Sequence, residues 1–160
     1  MLLREIIDCL WERGYAATPI SVIVQETGVN AASLYARFGS KKGIMLAALD
    51  LYAKETIDAL EACWPRRSRE PDKYAPSWNM PWAVLRTRVR GCFLVNTVTN
   101  ISTDTPDFAM AVADYMGQIR GRIKDALKHA PGLRPEVTPE DAALYVSAGL
   151  GPQSHGPDAP

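Results

Sequence analysis

Histidine is nearly absent. His129 and His155 are the whole supply, too few and too isolated for a metal triad or a supported acid–base pair. Cysteine is scarce too: Cys9, Cys63 and Cys92 are odd in number and lack C-x-x-C spacing, which excludes a disulfide framework and a zinc cluster and fits a reducing cytoplasm. Neither sign of charge is in excess. Eighteen Lys plus Arg balance eighteen Asp plus Glu, so a nucleic acid or an anionic membrane would have to be met locally rather than by a polybasic coat. No apolar run approaches the roughly 18 residues of a membrane span, and Met1 leads into Leu2, Leu3, Arg4 and Glu5 rather than a signal sequence. The chain therefore reads as cytoplasmic, with no membrane partner. Ser154 beside His155 lacks a strand-turn-helix setting, and Gly149-Leu150-Gly151 meets Ser154 where a dinucleotide loop needs its third glycine. No catalytic residue, metal or cofactor is expected. What the 160 residues do have is 47% hydrophobic content, enough to bury a core.

That content is arranged with a helical period, and no strand pattern or internal repeat is evident. Leu3, Ile6, Ile7 and Leu10 recur between charged residues and stop at Gly14, which predicts a helix over 2–13. Thr18-Pro19 reads as an N-cap followed by proline at the first helical position, and Ile20, Ile23 and Val24 give a short helix ending before Gly28. Asn30 caps a third segment over 31–38, in which Leu34 and Phe38 face inward, and Gly39 ends it. Ser40 caps a longer fourth helix with the stripe Leu46, Leu49, Ala53, Ile57, Leu60 and Trp64, broken by Pro65. From Pro65 to Pro81 there are four prolines together with Arg66, Arg67 and Arg69, a segment that reads as a solvated boundary. One kinked helix or two consecutive ones are expected over 82–90 and 91–101, with Gly91 at the break. Another opens at Thr105-Pro106, carrying Phe108, Val112, Tyr115, Ile119, Ile123 and Leu127 as far as Pro131-Gly132. Thr138, Pro139 and Asp141 start a final helix that stops near Gly149. The last ten residues hold five Gly or Pro and no apolar period, so 151–160 is expected to be a disordered tail.

Two short helices joined by Thr27-Gly28-Val29-Asn30 have the form of a helix-turn-helix, whose second helix enters the DNA major groove. Its outward face would present Ala31, Ala32, Ser33, Tyr35, Ala36 and Arg37. The alanines permit close approach, Arg37 suits a bidentate contact to guanine, and Ser33 or Tyr35 suits phosphate or base. Lys41 and Lys42 then occupy the first turn of the fourth helix, where the macrodipole disfavours each cation by roughly 0.3–1 kcal/mol. A phosphate nearby reverses that sign, and no acid lies between Asn30 and Lys42.

Gly14-Tyr15, Thr18-Pro19-Ile20, Ile23-Val24, Thr27-Gly28-Val29, Ser33-Leu34-Tyr35 and Phe38-Gly39-Ser40-Lys41 together resemble the DNA-binding domain of the tetracycline-repressor (TetR) family, densely from Leu2 to Leu51. A weaker likeness, from Gly91-Cys92-Phe93-Leu94-Val95-Asn96-Thr97, extends to about Tyr145. The resemblance implies an all-α protein: a DNA-binding domain over 1–50 and a helical effector and dimerisation domain, shortened here, over 51–150. It implies a transcription regulator, usually a repressor, that binds double-stranded operator DNA as a homodimer and is released by a small-molecule effector. Carried over by position, Thr18 and Tyr35 hold phosphates, with Pro19 beside them. Asn30, Ala31, Ala32, Ser33 and Arg37 face the groove, Phe38 at the end of the helix is counted among the DNA-binding residues, and Lys41, with Lys42, contacts the backbone.

Two departures accompany the likeness. Family members usually carry a basic arm ahead of the first helix, where this sequence has only Met1 before Leu2, so arm contacts are expected to be missing. The family pairs two long final helices across its dimer, where this sequence turns Gly- and Pro-rich after Leu150, so weak dimerisation is expected. For the effector, Trp64, Trp82, Phe93, Asn96, Tyr115 and Met116 are the candidate pocket residues. An aromatic stripe at helical spacing is more often core than pocket lining, and Asn96 is equally a satisfied core amide. The competing reading is a helical interaction or small-molecule-binding module without operator control.

Overall fold

The computed structural model describes residues 1–63, 92–100, 106–128 and 136–148, and these form seven helices with no strand among them. They are α1 (Leu2–Arg13), α2 (Ile20–Thr27), α3 (Ala31–Phe38), α4 (Lys41–Cys63), α5 (Phe93–Asn100), α6 (Pro106–Leu127) and α7 (Pro139–Ala148). The expected linker at 65–81, the helix over 82–90, the cap at Thr105, the Pro131-Gly132 stop and the tail at 151–160 lie outside the described residues.

The caps show why the chain divides where it does. Gly14 ends α1 at φ 78° and Gly28 ends α2 at φ 69°, its N–H donating to the Val24 carbonyl at 2.8 Å; a left-handed turn of this kind favours glycine. Asn30 Oδ1 accepts the Ser33 N–H at 2.8 Å to start α3, and Ser40 Oγ accepts the Gly43 N–H at 3.0 Å to start α4. Thr138 Oγ1 accepts the Asp141 N–H at 3.1 Å and donates to the Asp141 carboxylate at 2.7 Å, which seats the first turn of α7. One cap differs from expectation. Thr18 does not cap α2; Pro19 stands at that position in extended backbone, while the Thr18 hydroxyl turns inward and donates to the Gly14 carbonyl at 2.7 Å.

The boundary at residue 50 is not a break in the chain, because α4 runs through it. Nor is it a break in the core. A single cluster of buried side chains extends from Ile6 and Leu10 of α1 through Ile23, Leu34 and Leu49 to Phe93, Phe108, Ile123 and Ala143. Helix α4 is the hub, and its buried face is wider than the stripe the sequence suggests: Ile44, Met45, Ala48 and Tyr52 are buried beside Leu49, Ala53 and Leu60. A buried face this wide fits a helix packed against several neighbours. Here α4 packs against α1, α3, α5 and α6. Trp11, Tyr52 and Phe93 meet at ring centroid distances of 5.3–5.7 Å, joining α1, α4 and α5 by aromatic packing. Helices α4 and α6 run parallel, with Tyr115 donating to Asp50 at 3.2 Å and Arg122 pairing with Glu61 at 2.7 Å along the same seam.

Candidate nucleic-acid interface

Helix α3 has one buried anchor. Leu34 is wholly inside, with Val29 and Phe38 half-buried against the same core. The opposite face is open: Asn30, Ala32, Ser33, Tyr35, Ala36 and Arg37 are exposed, and Ala31 is half-buried. Tyr35 has 44% of its surface in solvent, so its ring edge and hydroxyl are open on this face. The Arg37 guanidinium lies 5.4 Å from the centroid of the Phe38 ring, a stacking that orders the side chain while leaving its donors outward. Asn30 is exposed, but its amide oxygen is committed to the cap. Phe38 is half-buried and belongs to the support of α3 rather than to its open face.

The turn is held from below. Thr27 Oγ1 donates to the Ile23 carbonyl at 2.6 Å and accepts the Val29 N–H at 3.3 Å, so the connection carries its own hydrogen bonds. Arg13 of α1 pairs with Glu26 of α2 at 2.8 Å, an exposed bridge worth about 0–1 kcal/mol.

Beside α3, the first turn of α4 holds Lys41 and Lys42 and no acid. The Lys41 ammonium sits 4.4 Å from the centroid of the Tyr15 ring, and the partial burial lowers its pKa while raising that of the Tyr15 hydroxyl. Lys42 is exposed and forms an ion pair with Asp107 of α6. Pro19 is exposed at the mouth of α2. Thr18 is a correction: its side chain has no solvent-accessible surface and its hydroxyl is spent on Gly14, so it supports the turn and does not reach a phosphate.

Three residues of this region escaped sequence reasoning. Tyr15 carries Lys41 on one side and packs edge-on against Phe108 of α6 at 4.9 Å on the other. Asp107 is the partner of Lys42. Gly43 lies so close to the end of α3 that a Cβ there would overlap the Phe38 carbonyl oxygen; a glycine in the first turn of a helix, where it is a poor helix former, was the only signal.

The effector candidates divide. Phe93 is fully buried and packs against Trp11 and Tyr52 as part of the core. The Tyr115 hydroxyl is engaged by Asp50; burial and that carboxylate raise its pKa. Asn96 and Met116 are half-buried, and Trp64 and Trp82 lie outside the described residues. Among the described residues no helix is long and apolar enough to cross a membrane.

Residues 2–48, the span that builds this surface, match the family model described as bacterial regulatory proteins, tetR family. The HTH-type transcriptional repressor ComR of Escherichia coli (strain K12) is 32% identical over 112 residues, which are 67% of this chain and 52% of ComR. The chain belongs to the tetR family. It spans about half the length of ComR, as the 52% shows. The tetR fold is also seen in a transcriptional regulator from Chloroflexus aurantiacus J-10-FL, with TM-score 0.73 and 23% identity over 93% of this chain and 78% of that one. A cysteine-substituted CifR, a TetR family regulator complexed with 26-bp double-strand operator DNA, superposes with TM-score 0.70 and 20% identity over 93% of this chain and 80% of that one.

Proposed function

We propose that the protein is a cytoplasmic DNA-binding transcriptional regulator, a repressor released by a small-molecule effector. The observation that carries this reading is the surface of α3: one buried leucine holds the helix, and its open face offers small residues, an exposed tyrosine and an arginine, with no acid. Cations stand next to it, where helix stability alone would call for acids. The repressor name of ComR and the operator complex of CifR support the same reading. In it, Ala31, Ala32, Ser33 and Arg37 meet base edges, Asn30 caps the reading helix at the groove, and Pro19, Tyr35, Lys41 and Lys42 line the phosphates. Two such heads on a two-fold operator call for a homodimer. The exposed Met110 of α6 and Leu144 of α7 are apolar surface available for that pairing. An effector held by the helical half, with Asn96 and Met116 as its described candidates, acts by preferring one spacing of the heads.

The test is binding to DNA upstream of the protein's own gene over a salt series, with Arg37→Ala and Tyr35→Phe beside the parent. Arg37→Ala is expected to cost about 1–3 kcal/mol of affinity and to relax preference at one base position. Tyr35→Phe is expected to weaken binding without changing that preference. Both should keep the helical circular-dichroism signal. Unchanged base preference in Arg37→Ala removes that residue from the reading face.

Lys41→Glu separates phosphate binding from folding. It exchanges a cation–π contact of about 0.5–1 kcal/mol for a favourable macrodipole interaction of about 0.3–1 kcal/mol, so the melting temperature should barely move. Affinity should fall on every sequence, and the slope of log K against log salt should flatten by about 0.9. A lowered melting temperature with an unchanged slope would contradict the phosphate role.

A further inference from the structure

Asp107 is a surface acid in the first turn of its helix, where the macrodipole favours it. It opens α6, yet its carboxylate holds Lys42 at the start of α4, beside the open face of α3. The first turn of α4 has no acid of its own, so the negative charge that its macrodipole attracts is supplied by another helix. The neighbouring structure fixes it there. Phe108, the next residue, is wholly buried and locked edge-on against Tyr15 at 4.9 Å, and Tyr15 in turn lies under Lys41. Further along, the Tyr115–Asp50 and Arg122–Glu61 contacts keep α6 in register with α4. The carboxylate, half exposed itself, is thus carried beside Lys42 on a backbone held by these contacts.

We infer that Asp107 is an intramolecular stand-in for a DNA phosphate, which holds Lys42 in the free protein and lowers affinity for DNA. The inference rests on the reading of α3 and the start of α4 as the DNA face. A phosphate and a carboxylate beside one ammonium repel each other, so docking of the duplex has to draw Lys42 away from Asp107. Phosphate contacts carry no sequence information; the effect of Asp107 is therefore the same factor on any duplex.

The experiment measures binding of the full chain to upstream DNA and to a duplex of random sequence by fluorescence anisotropy over a salt series. Asp107→Asn is expected to bind both duplexes about two- to fivefold more tightly at low salt, the range an exposed ion pair supports, with the gain shrinking as salt screens the pair. Asp107→Ser, which also suits the start of a helix, should give the same gain. The gain should vanish when Lys42→Gln is added. Asp125→Asn, at the far end of α6 where Asp125 pairs with Lys128, removes one negative charge remote from the surface and should leave affinity unchanged. Unchanged or weaker binding by Asp107→Asn overturns the inference, as does an equal gain in the Lys42→Gln background or in Asp125→Asn. A parent chain that binds neither duplex at low salt overturns the DNA reading itself, whereas a parent that binds both while Asp107→Asn matches it overturns the role of Asp107 alone.

Discussion

Replacing Phe108 by alanine is expected to lower stability by about 3–5 kcal/mol, as for other fully buried aromatics, read as a lower denaturant midpoint at unchanged slope. The ring is wholly inside and packs against Tyr15 at 4.9 Å, so its removal leaves a cavity between α6 and the connection from α1 to α2. The loss should not stop at stability. Tyr15 is the platform on which Lys41 rests, and a displaced Tyr15 frees Lys41 from its position beside α3. The fraction that remains folded should therefore bind DNA more weakly than the parent. Phe93→Ala is the matched comparison: Phe93 is equally buried, but among Trp11 and Tyr52, away from Lys41. It should cost a similar amount of stability while the folded fraction keeps its affinity. Equal affinity loss in both variants would mean general loosening rather than a path from α6 to the reading surface.

Gly43→Ala is expected to reverse the usual sign of a glycine-to-alanine change. In an unobstructed helix alanine is better than glycine by about 0.8–1.0 kcal/mol, and Gly117 of α6, where a Cβ would meet nothing within 4 Å, should show that gain. At Gly43 the added carbon would overlap the Phe38 carbonyl oxygen and lie 3.1 Å from its carbon. The obstacle is backbone, which cannot swing aside. Helix α3 would have to shift from the start of α4, at a cost of about 1–3 kcal/mol, and the shift would change the angle between Arg37 and the two lysines. Thermal melts of the two variants should thus move in opposite directions, with DNA affinity reduced in Gly43→Ala. A stabilised Gly43→Ala would show that the junction has room.

Helices α1 to α4 were legible in the sequence because each is bounded by local chemistry. Gly14, Gly28, Asn30, Gly39 and Ser40 act within four residues of where they stand, and a hydrogen bond of that reach is visible in a linear string. The exposed face of α3 follows from the same period, given Leu34 as its one anchor. Thr18 was misjudged because Thr-Pro has two solutions, a cap or an inward hydroxyl, and only the Gly14 carbonyl left open nearby decides between them. The breadth of the buried face of α4 was hidden because a helix packed against several neighbours loses the simple stripe. Phe93 is packed among Trp11 and Tyr52, and helical spacing alone cannot separate a cavity wall from such a packed ring. The links from Lys41 to Tyr15, from Tyr15 to Phe108 and from Lys42 to Asp107 join segments far apart in the chain, and nothing local in the sequence announces them.

Methylation interference on the upstream DNA tests the central claim most directly. If α3 lies in the major groove with Arg37 on a guanine, methylating N7 of that guanine blocks the bidentate contact, and binding by the parent should be lost at one guanine in each half-site. Arg37→Ala, having no such contact, should bind methylated and unmethylated DNA alike. Parent binding that no guanine N7 methylation disturbs, or an interference pattern identical in Arg37→Ala, would contradict the account.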